Sequence, residues 1–148
     1  MAPGRWTELF FLDEATALSA GHRPCFHCRR KDAEAFRAAW ATGNGGAPLK
    51  AAEMDATLHG ERLSGRGKSA HPLDRPIPTL PDGAMIGVGE SSFVVVAEGM
   101  RRWTPSGYIA TTVAPGGAML LTPPSILRAL AAGFRPRLHP SAFATAHA

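Results

Sequence analysis

The two cysteines of the chain, Cys25 and Cys28, stand in the pattern C-x-x-C. This spacing allows two thiolates to bind one metal ion from a tight turn, and zinc takes thiolate and imidazole ligands in a tetrahedron. Arg23, Arg29 and Arg30 lie beside the cysteines, and nearby positive charge favours the thiolate form that binds metal. The pattern therefore predicts half of a zinc site.

A structural zinc site needs four protein ligands, so two more must come from elsewhere. His22 and His27 are close in sequence, but the geometry of a tight turn makes it difficult for both to join the cysteines. The distant candidates are His59, His71 and His139. Two other readings of the cysteine pair stay open. A redox pair is typical of a thioredoxin-like βαβ unit, and no predicted strand leads into this motif. The cysteines can also be two thiols near a helix start without any metal.

Residues 9–29 combine a short strand that contains aromatic residues, a helix with an alanine-rich face, and the string A-G-x-R-P-C-x-x-C-R. This run resembles the second half of the zinc-binding domain of Ada-type regulators of DNA alkylation repair. The positions that match the family pattern are Gly21, Arg23, Pro24, Cys25, Cys28 and Arg29. The resemblance implies a zinc-ribbon-like module that contacts DNA.

In the Ada-type family four cysteines bind the zinc ion, and the methyl-accepting cysteine belongs to the first pair, upstream of the matched run. The chain has only the second pair, so methyl transfer is not carried over to it. Two expectations follow for the rest of the site. Either other ligands replace the first pair, or the natural chain begins further upstream.

The 148 residues suit one domain, or one domain with a small appendage. With 16 glycines and 13 prolines, a large share of the chain is expected in loops around a modest core, which a bound metal would stabilise. The net charge of +4 is compatible with a nucleic-acid partner. A GC-rich bacterial genome would also produce such an excess of arginine.

The chain has no run of 18 or more apolar residues, so no membrane span is predicted. Its start lacks the basic and then apolar pattern of a signal peptide. Two cysteines so close together do not form a disulfide framework. The expected location is the cytoplasm.

The pattern predicts an α+β fold, with N-terminal helices that carry the C-x-x-C turn, a small antiparallel sheet and a closing C-terminal helix. We divide the chain into a helical Ada-like segment (1–63), a basic linker (64–81), a sheet with one helix (82–140) and a tail (141–148). The predicted helices cover 13–20, 32–40, 49–63 and 122–133. Asp13 is the predicted N-cap of the first helix, and Phe36 and Trp40 of the second are predicted to be buried in the core. The predicted strands cover 9–12, 84–88, 92–97, 100–104, 108–113 and 118–121.

Basic residues near the cysteines and in the linker are the candidate nucleic-acid contacts: Arg23, Arg29, Arg30, Arg66 and Lys68. An alternative function is a metal-dependent nuclease that uses Asp55, His59 and Glu61, although charged residues on one helix are usually its solvated face. A metal-free interaction protein is a third possibility. The sequence has no phosphate-binding glycine motif and no G-x-S-x-G, so no catalytic residue is predicted.

Residues 17–27 recur at a constant offset as residues 129–139, with the helix ending Ala-Leu-x-Ala-Gly-x-Arg-Pro in both copies. The repeat indicates that this string is a way of ending a helix. Its arginines are either phosphate contacts or donors to the last helical carbonyls, and we favour the second role. The cysteines occur only in the first copy, so a helix ending alone does not require them.

Overall fold

The computed structural model describes residues 11–63, 71–97, 99–111 and 117–143. The described chain is α+β, which confirms the predicted class, and its longest helix has 15 residues. None of the described helices is long and apolar enough to cross a membrane. The helices are α1 (Glu14–Ser19), α2 (Arg30–Asn44), α3 (Ala51–Leu63) and α4 (Pro124–Ala131), with short 3₁₀ helices at Ile77–Thr79 and Pro140–Phe143.

Six antiparallel strands form one sheet in the order β1-β6-β2-β3-β4-β5. The strands are β1 (His71–Pro72), β2 (Met85–Val88), β3 (Ser91–Val96), β4 (Gly99–Thr104), β5 (Gly107–Ala110) and β6 (Met119–Leu120). Strand β1, which falls in the predicted linker, pairs with β6 through His71 and Leu120. Half of the strand predicted over 9–12 lies outside the described residues, and residues 11 and 12 have no strand structure.

One face of the sheet packs against α2, α3 and α4. Phe36 and Trp40, which the sequence places in the core, are buried there. The other large buried side chains of this core include Leu18, Met54, Leu58, Leu80, Ile86, Phe93, Leu120, Ile126, Leu127, Leu130 and Phe134. Burial of each such side chain stabilises the fold by about 1.5–3 kcal/mol. The helices before residue 64 and the sheet after residue 82 therefore share one hydrophobic core.

The opposite face of the sheet packs against α1 and the C-terminal 3₁₀ helix. Asp13, the predicted N-cap of α1, accepts a hydrogen bond from the Thr16 N–H at 3.0 Å, as in a capping box. The same carboxylate accepts hydrogen bonds from the Tyr108 hydroxyl at 3.1 Å and from the His139 N–H at 2.9 Å. Burial and the adjacent Asp13 raise the pKa of Tyr108. Tyr108 therefore stays a neutral donor that holds the start of α1 in place.

Candidate metal-thiolate site

The C-x-x-C turn joins the end of α1 to the start of α2. Helix α1 ends at Gly21, whose φ of 85° is the left-handed conformation that favours glycine. After the buried Pro24, residues 26–28 form a turn that the Arg29 N–H closes by donating to the Cys25 carbonyl at 2.9 Å. Helix α2 begins at Arg30. Both cysteines consequently lie on one turn that runs directly into a helix.

The two sulfur atoms are 3.4 Å apart, and both cysteines are exposed. The His27 N–H also donates to the Cys25 sulfur at 3.3 Å. Hydrogen bonds from the Cys28 backbone and thiol, then from the His27 N–H, lower the pKa of Cys25, and the charge of Arg23 adds to this effect. The turn therefore stabilises the thiolate form of Cys25.

Arg23 fixes the turn to α3. Its Nε and Nη2 donate to the two carboxylate oxygens of Asp55 at 2.8 and 2.9 Å, and its Nη1 donates to the Pro24 carbonyl at 3.0 Å. The guanidinium carbons of Arg23 and Arg37 each lie over the Phe26 ring, at 5.5 and 5.2 Å from its centroid. The donors of Arg23 thus go to Asp55 and Pro24, and not to the last carbonyls of α1 as the sequence suggested.

Arg29 fixes the other side of the turn. Its Nη1 donates to Glu14 at 2.7 Å, and its Nε and Nη2 donate to Asp32 at 2.9 and 2.6 Å. The hydrogen bond from Arg29 lowers the pKa of Asp32. The side chain of Glu14 is only 6% exposed, so this ion pair is largely shielded from water. Arg29 therefore connects α1 to the start of α2, at the point where the cysteine turn ends.

Two grooves of similar size meet at Cys25, with volumes of about 680 and 670 Å³. Both are lined by His22, Arg23 and Cys25. The first groove continues along residues 11–14 and 137–140. The second continues along α3, where Asp55 and His59 line it. The exposed Cys25 is therefore accessible from both grooves.

The histidines predicted as further ligands lie in different places. His22 is exposed, with its ring 5.0 Å from the ring of Phe11, and His27 is exposed within the turn. His59 shares the second groove with Cys25, whereas His71 lies in β1 and lines a different groove with Leu120 and Leu127. Within the described ranges, no three or more His, Cys, Asp or Glu residues are grouped as a metal site.

Glu61, one of the predicted nuclease residues, hydrogen-bonds to the start of α4. It accepts from the Ser125 N–H at 3.2 Å and from the Ser125 hydroxyl at 2.5 Å. A carboxylate at this position satisfies a helix N–H and interacts favourably with the helix dipole. Asp55 is engaged with Arg23, and His59 lines the second groove. Asp55 and His59 thus line the same groove, whereas Glu61 is engaged at the start of α4.

Among the residues predicted to bind nucleic acid, Arg23 and Arg29 form ion pairs with carboxylates. Arg30 is 74% exposed and lies 3.8 Å from Glu34. Arg66 and Lys68 lie outside the described residues. The charge around the cysteines is therefore largely balanced by neighbouring acids.

The roles of Asp55 and Phe26 in positioning the turn were not predicted. Asp55 is 32 residues from Arg23, and no local pattern connects them. Comparisons of the chain with protein-family models, with curated proteins and with solved structures gave no match.

Proposed function

We propose that the chain binds a zinc ion through the thiolates of Cys25 and Cys28. The observation that carries the proposal is the position of the two sulfur atoms, 3.4 Å apart on one exposed turn. Two thiolates on a tetrahedral zinc ion, each at 2.3 Å from the metal, are about 3.8 Å apart. A small side-chain rotation brings the pair to this distance.

The hydrogen bonds at Cys25 support the same role. Zinc binds the thiolate, so groups that stabilise the thiolate also favour binding. Arg23 and Arg29 are fixed by carboxylates, so the turn does not have to be ordered by the metal. A preorganised pair of ligands loses little conformational entropy when the ion arrives.

Two ligand positions remain beyond the cysteines. His22, His59 and His139 line grooves that also contain Cys25, so they are the candidates from this chain. A cysteine pair from a second copy, or from a longer natural chain, is the other source. The ratio of zinc to protein distinguishes a site within one chain from a site shared by two.

The test is the metal content of protein purified without chelator, measured by inductively coupled plasma mass spectrometry. We expect about one zinc ion per chain, or one per two chains for a shared site, and none in the Cys25→Ser/Cys28→Ser variant. His22→Ala and His59→Ala should lower the affinity, whereas His71→Ala, which lies in another groove, is the matched control. Equal zinc content in the wild type and the double cysteine variant would refute the proposal.

Contact with nucleic acid stays a prediction from the sequence, supported by the net charge of +4 and by the exposed Arg30. If it holds, affinity for DNA falls as salt rises, and Arg30→Glu weakens binding. The nuclease alternative also stays a prediction. It requires metal-dependent cleavage that is lost in His59→Ala.

A further inference from the structure

The arrangement of the two sulfur atoms is suited to a second chemistry. We propose that Cys25 and Cys28 form a redox pair that exchanges with disulfides, in which Cys25 attacks and Cys28 resolves. The inference uses the same two sulfurs as the proposed zinc site but concerns the metal-free protein. It therefore holds or fails independently of zinc binding.

The distance between the sulfur atoms is the first argument. Reacting atoms in a productive ground-state geometry are about 3–3.5 Å apart, and Cys28 Sγ lies 3.4 Å from Cys25 Sγ. The turn that holds them is closed by the Arg29 N–H and fixed by the Arg23–Asp55 ion pair. The Cys28 sulfur is therefore already within reach of Cys25 when Cys25 has reacted with a disulfide.

The two sulfurs have different roles in the hydrogen bonding of the turn. The His27 N–H and the Cys28 thiol both donate to the Cys25 sulfur. Donors of this kind stabilise negative charge on the sulfur that accepts them. Cys25 is accordingly the better nucleophile in the first step and the better leaving sulfur when a later thiol attacks the disulfide.

Access is the third argument. Cys25 is exposed, and it lines both grooves, which continue along different parts of the chain. Attack on a disulfide requires that the Cys25 sulfur can be reached by a substrate sulfur. Either groove leads to the Cys25 sulfur and leaves space beside it for a disulfide.

The reaction balances in two steps. The Cys25 thiolate attacks one sulfur of a disulfide R–S–S–R, the substrate S–S bond breaks, and R–S⁻ leaves and takes up the proton that Cys25 lost. The Cys28 thiolate then attacks the Cys25 sulfur and releases the second R–SH, again with transfer of its proton. Two electrons pass from the cysteine pair to the substrate, which becomes two thiols, and the protein holds a Cys25–Cys28 disulfide.

The experiment uses metal-free protein with a chelator present and oxidised glutathione as the probe, followed by intact-protein mass spectrometry. The wild type should form an internal disulfide and release two glutathione molecules. Cys28→Ser should stop with one glutathionyl group on Cys25. Cys25→Ser, the matched control, should react roughly tenfold more slowly. Its remaining thiol is Cys28, which is not the sulfur to which the His27 N–H donates.

Three results would overturn the inference: a wild type that stops at the mixed disulfide, a wild type that does not react, or a Cys25→Ser variant that reacts as fast as Cys28→Ser. Both cysteines are exposed, so the serine variants keep the fold. Zinc content of the reduced wild type is measured separately. Absence of zinc with normal exchange would refute the proposed function alone, and bound zinc without exchange would refute this inference alone.

Discussion

The ends of α1 and α4 have the same backbone structure and different surroundings. At the end of α1, the Gly21 N–H donates to Leu18 and the His22 N–H donates to Ala17, both at 2.9 Å. At the end of α4, the corresponding N–H groups of Gly133 and Phe134 donate to Leu130 and Ala129 at 3.0 and 3.2 Å. This is the Schellman arrangement in both places. The repeat in the sequence is therefore a repeated helix ending.

The residue after the glycine makes the difference. Phe134 is buried, with its ring edge-on to Phe36 at 5.1 Å, so the end of α4 is part of the core. His22 is exposed and lines the grooves beside Cys25. The same type of helix ending thus adds a buried side chain to the core after α4 and places an exposed histidine beside Cys25 after α1.

Phe134→Ala should give the largest effect. It removes a buried ring and should lower the free energy of unfolding by about 3–5 kcal/mol. His22→Ala, at the equivalent position, should change it by less than about 0.5 kcal/mol. Urea denaturation followed by circular dichroism measures both. Losses of similar size would show that the two helix endings contribute equally to the core.

Alanine at the two glycines should give an intermediate effect. Gly21 and Gly133 have φ angles of 85° and 120°, so each substitution should cost about 1–2 kcal/mol. Gly21→Ala should cost more, since a Cβ there would lie 2.5 Å from the Arg62 side chain, whereas nothing lies within 4 Å at Gly133. Gly60→Ala, within α3, is the control and should stabilise the protein by about 0.5–1 kcal/mol. Thermal unfolding that ranks the variants otherwise would contradict this assignment.

Asp55→Asn should have a smaller effect. It weakens the ion pair that ties the α1 ending to α3, and Asp55 is 53% exposed, so the loss should stay below about 1 kcal/mol. The difference from wild type should shrink at high salt. Asp74→Asn, at the exposed pair with Arg75, is the control and should have no measurable effect. A loss of several kcal/mol in Asp55→Asn would mean that this contact is part of the core.

The last prediction concerns reactivity alone. The pKa of Cys25 is lowered by the hydrogen bonds of the turn, so its thiolate forms at lower pH in the folded protein than in the unfolded chain. In Cys28→Ser, the rate of alkylation by iodoacetamide should therefore reach half its maximum at lower pH in buffer than in urea. Identical profiles would show that the turn does not stabilise the thiolate.

Local signals accounted for much of the fold. The N-cap Asp13, the helix ending at Gly21 and the buried Phe36 and Trp40 were predicted from residue type and spacing, because each depends on neighbours within one or two turns. Five of the six predicted strands were found, with ends within three residues of those expected. The exception is the strand predicted over 9–12, whose described residues 11 and 12 have no strand structure. Helix α2 proved longer than predicted, at Arg30–Asn44.

Distant pairings could not be predicted. Strand β1 has two residues, one of them proline. It forms because it pairs with the edge of β6, which begins 48 residues further along the chain. The contact of Glu61 with Ser125 spans 64 residues, and that of Arg23 with Asp55 spans 32. For the candidate site, the sequence identified the cysteine pair. The groups that orient it come from parts of the chain that no periodicity connects.

The carboxylates at the start of α1 have a consequence for the order of folding. Asp13 accepts a hydrogen bond from the His139 N–H, 126 residues away, and Glu14 accepts one from the Arg137 N–H, 123 residues away. Helix α1 has six residues, which is too short to be stable alone. During synthesis it must therefore wait until residues 137–139 have been made. The cysteine turn takes its final position only after these residues have left the ribosome.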